Sequence, residues 1–255
     1  MTRFLLSLLF VGLLANTGWA QNPARIVFLS EGAQDGRFGA LNIANGAVDT
    51  FDLLSEPSAM LSSYDDFLVY EDRAFVPGGN ENLLVYDVHT MQLVDSLTGF
   101  VPRKLARYDD LLLMTTYDAP YFRAYDLNDL SLSWSLDTTQ VPDEADDLFI
   151  KGDTAFVAVS GLNGFGDNSR VGNSVVVIDL PVQDTIATVA VGSNPTQLIP
   201  SGDNLYVKAL FGAFPDAFIE LVSLDMQTLT VVARDSLFDS NFYGPIGTDG
   251  SLVYY

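Results

Sequence analysis

The chain has 255 residues, 33 acidic against 12 basic, for a formal net charge of −21, with one His and no Cys. A field of that sign repels nucleic-acid phosphate and anionic lipid headgroups, which argues against both as partners. The lack of Cys excludes disulfides, thiolate metal sites and Cys nucleophiles.

The first element is apolar. Met1-Thr2-Arg3 precedes the run Phe4 to Leu14, and Ala15-Asn16-Thr17-Gly18-Trp19-Ala20 follows it. One positive charge, a short hydrophobic core and a small-x-small end predict a secretory signal peptide over 1–20, cut before Gln21. The run falls short of the ~20 residues that cross a bilayer, so no transmembrane segment is expected after cleavage. No Cys follows it, which excludes a lipoprotein signal. An exported chain without disulfides suits a Gram-negative periplasm or cell surface. Residues 21–255 are expected to form one domain with a sizeable core.

From Arg25 onward one pattern recurs. Each copy has an apolar run, a tight acidic turn, a second apolar run, a variable loop and a strand ending in Asp. That last strand reads Leu84-Val85-Tyr86-Asp87, Arg123-Ala124-Tyr125-Asp126, Val176-Val177-Ile178-Asp179 and Leu221-Val222-Ser223-Leu224-Asp225, with Asp intervals of 39, 53 and 46. Asn42 extends the series 45 residues upstream, and Pro57, Pro102, Pro142, Pro195 and Pro245 keep a parallel spacing of 45, 40, 53 and 50. Four strands per 40–50 residues predict an all-β fold, a β-propeller of four-stranded antiparallel blades. The copies run Phe67 to Leu97, Leu105 to Leu136, Leu148 to Val191 and Thr196 to Leu237. In the last of these, Gln197 to Pro200, Leu205 to Leu210, Phe218 to Asp225 and Leu229 to Leu237 are the expected strands. Arg25 to Ser30 and Ser251 to Tyr255 both read as second strands of a blade. The chain is therefore expected to hold about five blades and the start of a sixth, as the N-terminal part of a seven-bladed ring truncated at its C-terminus. A closed compact ring is the alternative.

Strand parity sorts the loops. First–second and third–fourth turns share one end of each blade, and they are short and acidic, as in Glu71-Asp72, Asp109-Asp110 and Gly152-Asp153. Second–third loops and blade connectors share the other end, and they are long and irregular. Examples are Glu31 to Phe38, Tyr117 to Tyr121, Gly161 to Asn173 and Phe211 to Ala217. Variable loops on one face of a repeat scaffold are where binding normally sits.

At these residues the chain resembles the YVTN-repeat β-propellers, which share their blade with quinoprotein-like propellers. Gly192-Ser193-Asn194-Pro195 and Gly99-Phe100-Val101-Pro102 are similar to that family's Gly-x-x-Pro connector. Asn204-Leu205-Tyr206-Val207 stands at the Tyr-Val-Thr-Asn signature, with Lys208-Ala209 replacing Thr-Asn. Tyr125 to Ser135, containing Trp134, resembles the Asp…Trp end of quinoprotein-type repeats. Ile26-Val27-Phe28-Leu29-Ser30-Glu31-Gly32 is similar to cell-surface propellers of Bacteroidota-type bacteria. The resemblance implies fold over most of the chain and, by association, a link to outer-membrane nutrient uptake.

Candidate chemistry is sparse. His89 lies in a third–fourth turn, without the partners of a triad or a metal cluster. Asp87, Asp126, Asp179 and Asp225 sit where Asp tightens turns by accepting backbone N–H bonds. The Gly/Asn-rich loop 161–173 lacks the spacing of an EF-hand, and no strand–Gly-rich–helix context supports a phosphate loop. No catalytic residue, metal ligand or cofactor is therefore assigned. Aromatic and basic side chains on the variable-loop face suit a protein, peptide or glycan ligand: Arg37, Phe38, Tyr117, Tyr121, Phe165, Arg170, Phe211 and Phe214. A non-catalytic binding propeller is the expected function. A quinoprotein- or lactonase-like enzyme, with carboxylates at the channel mouth, is the alternative.

Overall fold

The computed structural model describes residues 25–30, 37–52, 66–78, 81–161, 172–211, 218–237, 247–248 and 253–254. The expected signal peptide lies outside them. Strands β1 (Arg25–Ser30), β2 (Arg37–Asn42) and β3 (Val48–Asp52) form a three-stranded meander. Four-stranded meanders follow: β4 (Leu68–Tyr70), β5 (Arg73–Gly78), β6 (Asn82–Asp87), β7 (Leu93–Thr98); then β8 (Pro102–Tyr108), β9 (Leu111–Thr116), β10 (Phe122–Asp126), β11 (Leu132–Leu136). The next two are β12 (Ala145–Lys151), β13 (Thr154–Val159), β14 (Ser174–Asp179), β15 (Asp184–Ala190), and β16 (Pro195–Ser201), β17 (Asn204–Phe211), β18 (Phe218–Asp225), β19 (Thr230–Leu237). A hairpin of β20 (Gly247–Thr248) and β21 (Val253–Tyr254) comes last. Every strand pairs antiparallel with its chain neighbour, and the described residues contain no helix. Two compact units result, Met1–Pro102 and Arg103–Tyr255.

The repeat is written in its turns. Asp87 Oδ1 accepts the N–H groups of His89 (2.9 Å) and Thr90 (2.7 Å), and Asp225 Oδ1 those of Gln227 (2.9 Å) and Thr228 (2.8 Å). Asp126 and Asp179 do the same for Asn128 (2.7 Å) and Val182 (3.0 Å), and Asn42 for Ala44 (3.0 Å). Each Asp turn then closes through a left-handed residue, Met91, Leu130, Gln183 or Leu229, at φ between 55° and 61°. Those residues donate N–H back to the carbonyl of the turn Asp, at 2.7 to 2.9 Å. A second link joins the two turns of one blade. Val88, Leu127, Leu180 and Met226, each following its Asp, donate N–H to the carbonyls of Asp72, Asp110, Asp153 and Asp203 at 2.8 to 3.0 Å. Their apolar side chains are buried and seal that end of the sheet.

Packing follows the period of two. In β13, Ala155, Val157 and Val159 face one core with Leu113, Phe122 and Ala124 of the preceding sheet. Phe156 and Ala158 face another with Leu205, Val207 and Val222 of the following sheet. Middle strands buried on both faces read as continuous apolar runs, which Val175-Val176-Val177-Ile178 illustrates. In the first unit, Val27, Phe38 and Ala40 pack with Ala74, Val76, Tyr86 and Met91.

Inner strands begin earlier than their hydrophobic pattern suggests. β8 starts at Pro102 rather than Leu105, β12 at Ala145 rather than Leu148, and β16 at Pro195 rather than Gln197. The added residues are largely polar, and their pairing runs through register shifts at Ala145/Asp147 and Pro195/Gln197. Backbone bonding extends these strands where side-chain alternation is lost.

Candidate binding face

The two ends of the second unit differ in what they bury. At the turn end Leu127, Leu130, Leu180 and Met226 are buried apolar groups. At the loop end the buried residues include Thr115, Thr116, Glu144, Asp146, Ser160 and Ser174, six of the eight buried polar residues among those described. Burying polar and charged groups costs several kcal/mol unless partners compensate, so their concentration at one end requires a built network.

That network starts on β8. Arg103 Nε donates to Asp146 Oδ1 at 2.7 Å, and its guanidinium carbon lies 5.3 Å from the Tyr117 ring centroid. The pair is well shielded, with side-chain exposures of 18% and 5%. A cation held over an aromatic ring by a buried carboxylate presents a preorganised aromatic surface. The loop carrying Tyr117 is tied from below. The single Thr116 hydroxyl hydrogen is shared between the carbonyls of Asp118 (2.8 Å) and Pro120 (2.9 Å). Arg123 donates to Pro120 O (3.2 Å), Ala119 O (3.2 Å) and Asp118 Oδ2 (3.3 Å).

A backbone relay runs on across the sheets. Ser160 and Gly161 donate N–H to Glu144 O (2.9 and 3.2 Å), Gly172 to Ser160 O (2.8 Å), Asn194 to Gly172 O (2.8 Å) and Leu210 to Asn194 O (3.1 Å). Gly172 is required by this approach, since a Cβ there would lie 2.1 Å from Val159 O. Deeper in, Asp147 accepts the Leu198 N–H at 2.6 Å and the Leu148 N–H at 2.8 Å, linking β12 to β16. Burial raises the Asp147 pKa against the opposing pull of the Lys104 charge and those two bonds. Burial also pushes the Lys208 amine down.

The expected contact residues separate on this frame. Tyr117 is half-buried against Arg103, and Tyr121 is half-buried against the core holding Phe122 and Leu113. The loop pattern puts Phe38 at the end of the segment from Glu31, but β2 begins at Arg37 and buries Phe38 completely. Its ring centroid lies 5.3 Å from that of Tyr86 and 6.1 Å from that of Phe67, so it is core. Arg37 opens β2 opposite Ser30 of β1, and Phe211 ends β17 opposite Phe218 of β18. Phe165, Arg170 and Phe214 lie outside the described residues. Sequence reasoning does not single out Glu144, Asp146 or Asp147; their one signal is an acidic run opening an inner strand, where apolar residues are the rule. His89 is an exposed turn residue, with Nε2 2.7 Å from Asp72 Oδ1. No group of three or more His, Asp or Glu residues suited to a metal ion occurs among the described residues.

The chain matches no protein-family model and no curated protein. Among solved structures it is similar to BamB from Moraxella catarrhalis, with a TM-score of 0.59 and 14% identity over 89% of this chain and 66% of that one. It is also similar to the WD40 domain of Neurospora crassa Pan2, with a TM-score of 0.57 and 13% identity over 79% of this chain and 59% of that one. The fold is a β-propeller. A chain of Kuenenia stuttgartiensis hydrazine synthase is a further neighbour, with a TM-score of 0.56 and 16% identity over 68% of this chain and 48% of that one. The propeller chain thus spans between about half and two thirds of these proteins' lengths. At such identities the likeness establishes fold alone, since one fold hosts many functions.

Proposed function

We propose that this β-propeller is an exported, non-catalytic binding protein of the YVTN-repeat type. It takes a protein, peptide or glycan ligand at its loop end, at the periplasmic or outer surface of the cell and in the service of nutrient uptake. The observation that carries the reading is the buried polar network under Tyr117: Arg103, Asp146 and Thr116 hold a half-exposed aromatic on a cross-tied loop. Rigid aromatic anchors beside shielded charges are the residues that dominate recognition energetics. The inner-strand acids Asp146 and Asp147 are engaged by Arg103 and by backbone N–H groups. That favours binding over the carboxylate chemistry of a lactonase- or quinoprotein-like enzyme.

The test is site-specific photocrosslinking in the producing cell, with a benzophenone side chain placed at Tyr117 or, for comparison, at Asp129. A discrete adduct from Tyr117 and none from Asp129 is expected. Adducts confined to Asp129 would reverse the face. Saturable stabilisation of the purified protein by calcium, zinc or a redox quinone would favour the enzyme instead.

A further inference from the structure

Outer strands of stacked sheets leave one edge unpaired, and such edges attract further strands unless guarded by charge, proline or distortion. Among the described residues, β3 carries Asp49 and Asp52, β7 carries Asp95, and β19 carries Arg234 and Asp235. The uncharged β11 is only five residues long. β15 is different. From Thr185 to Ala190 it reads Thr-Ile-Ala-Thr-Val-Ala, without charge or proline. Among the described residues it pairs with β14 alone. Beside that edge Ile186 is 55% exposed and Val182 67%. The bonding phase is also visible: Val191 N–H donates to Asn173 O at 2.8 Å, so alternation turns the amide groups of Thr188 and Ala190 outward. Arg234 Nη2 meets the outward carbonyl of Ala190 at 3.3 Å.

We propose that β15 is a self-complementary edge that pairs antiparallel with β15 of a second copy of this chain. A two-fold axis at Thr188 lets the two Thr188 backbones exchange hydrogen bonds, and it sets Ile186 of each copy across from Ala190 of the other. It also carries Asp184, at the start of one strand, toward the Arg234 guanidinium at the end of the other. Within one copy Asp184 accepts from Gln140 (2.7 Å) and Arg234 pairs with Glu220 (2.8 Å), so the intermolecular attraction adds to existing contacts. Opposite charges at opposite ends of a neutral strand meet each other across a two-fold axis, which makes the edge self-complementary as an isologous interface requires. Ile186 is the extra residue at the register shift between Val177 and Ile178, so the paired stretch is short and centred on Thr188. Two copies at −21 repel over long range, so pairing strengthens as salt shortens the Debye length from ~30 Å to ~8 Å.

Sedimentation velocity of the purified chain tests this across concentration, at ~0.01 M and ~0.15 M salt. A concentration-dependent dimer, stronger at the higher salt, is expected. Thr188→Pro removes an outward N–H that the blade does not use, and it should give a folded monomer. Ile186→Lys should do the same should the proline variant fail to fold. Asp184→Arg and Arg234→Asp should each weaken the dimer on the order of tenfold, and the double reversal should restore it. A chain monomeric under all conditions, or a dimer indifferent to Thr188→Pro and Ile186→Lys, would overturn the proposal. So would a double reversal that restores nothing.

Discussion

At the scale of single residues, the turn aspartates act as fixed acceptors. The Asp225 carboxyl is held below its ordinary value of 3.8, first by the Thr228 N–H, then by the Thr228 hydroxyl and the Gln227 N–H. A depressed carboxyl contributes stability above its unfolded pKa and loses it as pH falls through the folded one. Asp225→Asn keeps an acceptor oxygen but removes the charge. Its melting temperature should lie below wild type at pH 7, and the gap should close below about pH 3.8. Both proteins also lose self-repulsion as pH nears the isoelectric point expected from the sequence, about 4.1, so the difference between the curves is the quantity to read. A gap that widened on acidification would contradict the acceptor role. Two glycines separate conformational from steric demand. Gly202 sits at φ +61 in open space, so Gly202→Ala should cost about 1 kcal/mol in denaturant unfolding. Gly172→Ala drives a Cβ into the Val159 carbonyl and should cost roughly 1–3 kcal/mol or more.

Among elements, stability comes from strands buried on both faces and from links between neighbouring sheets. Leu127 is fully buried at the turn end, and Leu127→Ala should lower unfolding free energy by about 2–5 kcal/mol in a urea titration. Phe156→Ala, between the last two four-stranded sheets, should cost about 3–5 kcal/mol. At the sheet boundaries Tyr108 Oη donates to Asp153 at 2.9 Å and Lys151 pairs with Asp203 at 3.2 Å. Tyr108→Phe should lower the melting temperature only slightly, because that contact is exposed to water. Meander order and turn chemistry were legible in the sequence, because Asp, Gly and alternating apolar residues encode them within a few positions. Inner-strand starts were not: Arg103 to Lys104 and Asp146 to Asp147 look like loop composition until Asp147 meets the Leu198 N–H 51 residues away.

For the whole molecule, the repeat implied both the propeller and its two unlike ends. The loop-end network is invisible to composition, since Arg103 and Asp146 lie 43 positions apart and only the sheet arrangement joins them. Phe38 shows the converse: an aromatic beside a Gly-rich loop reads as a contact residue until its strand turns it inward. The central claim is that recognition uses the loop end, with Tyr117 as an anchor. The decisive measurement is the affinity of the crosslinked partner for wild type, Tyr117→Ala and His89→Ala proteins of equal melting temperature. Loss of ~30-fold or more is predicted for Tyr117→Ala, as for an anchoring aromatic, with His89→Ala unchanged. Undiminished affinity in Tyr117→Ala, or a loss confined to His89→Ala, would contradict the account.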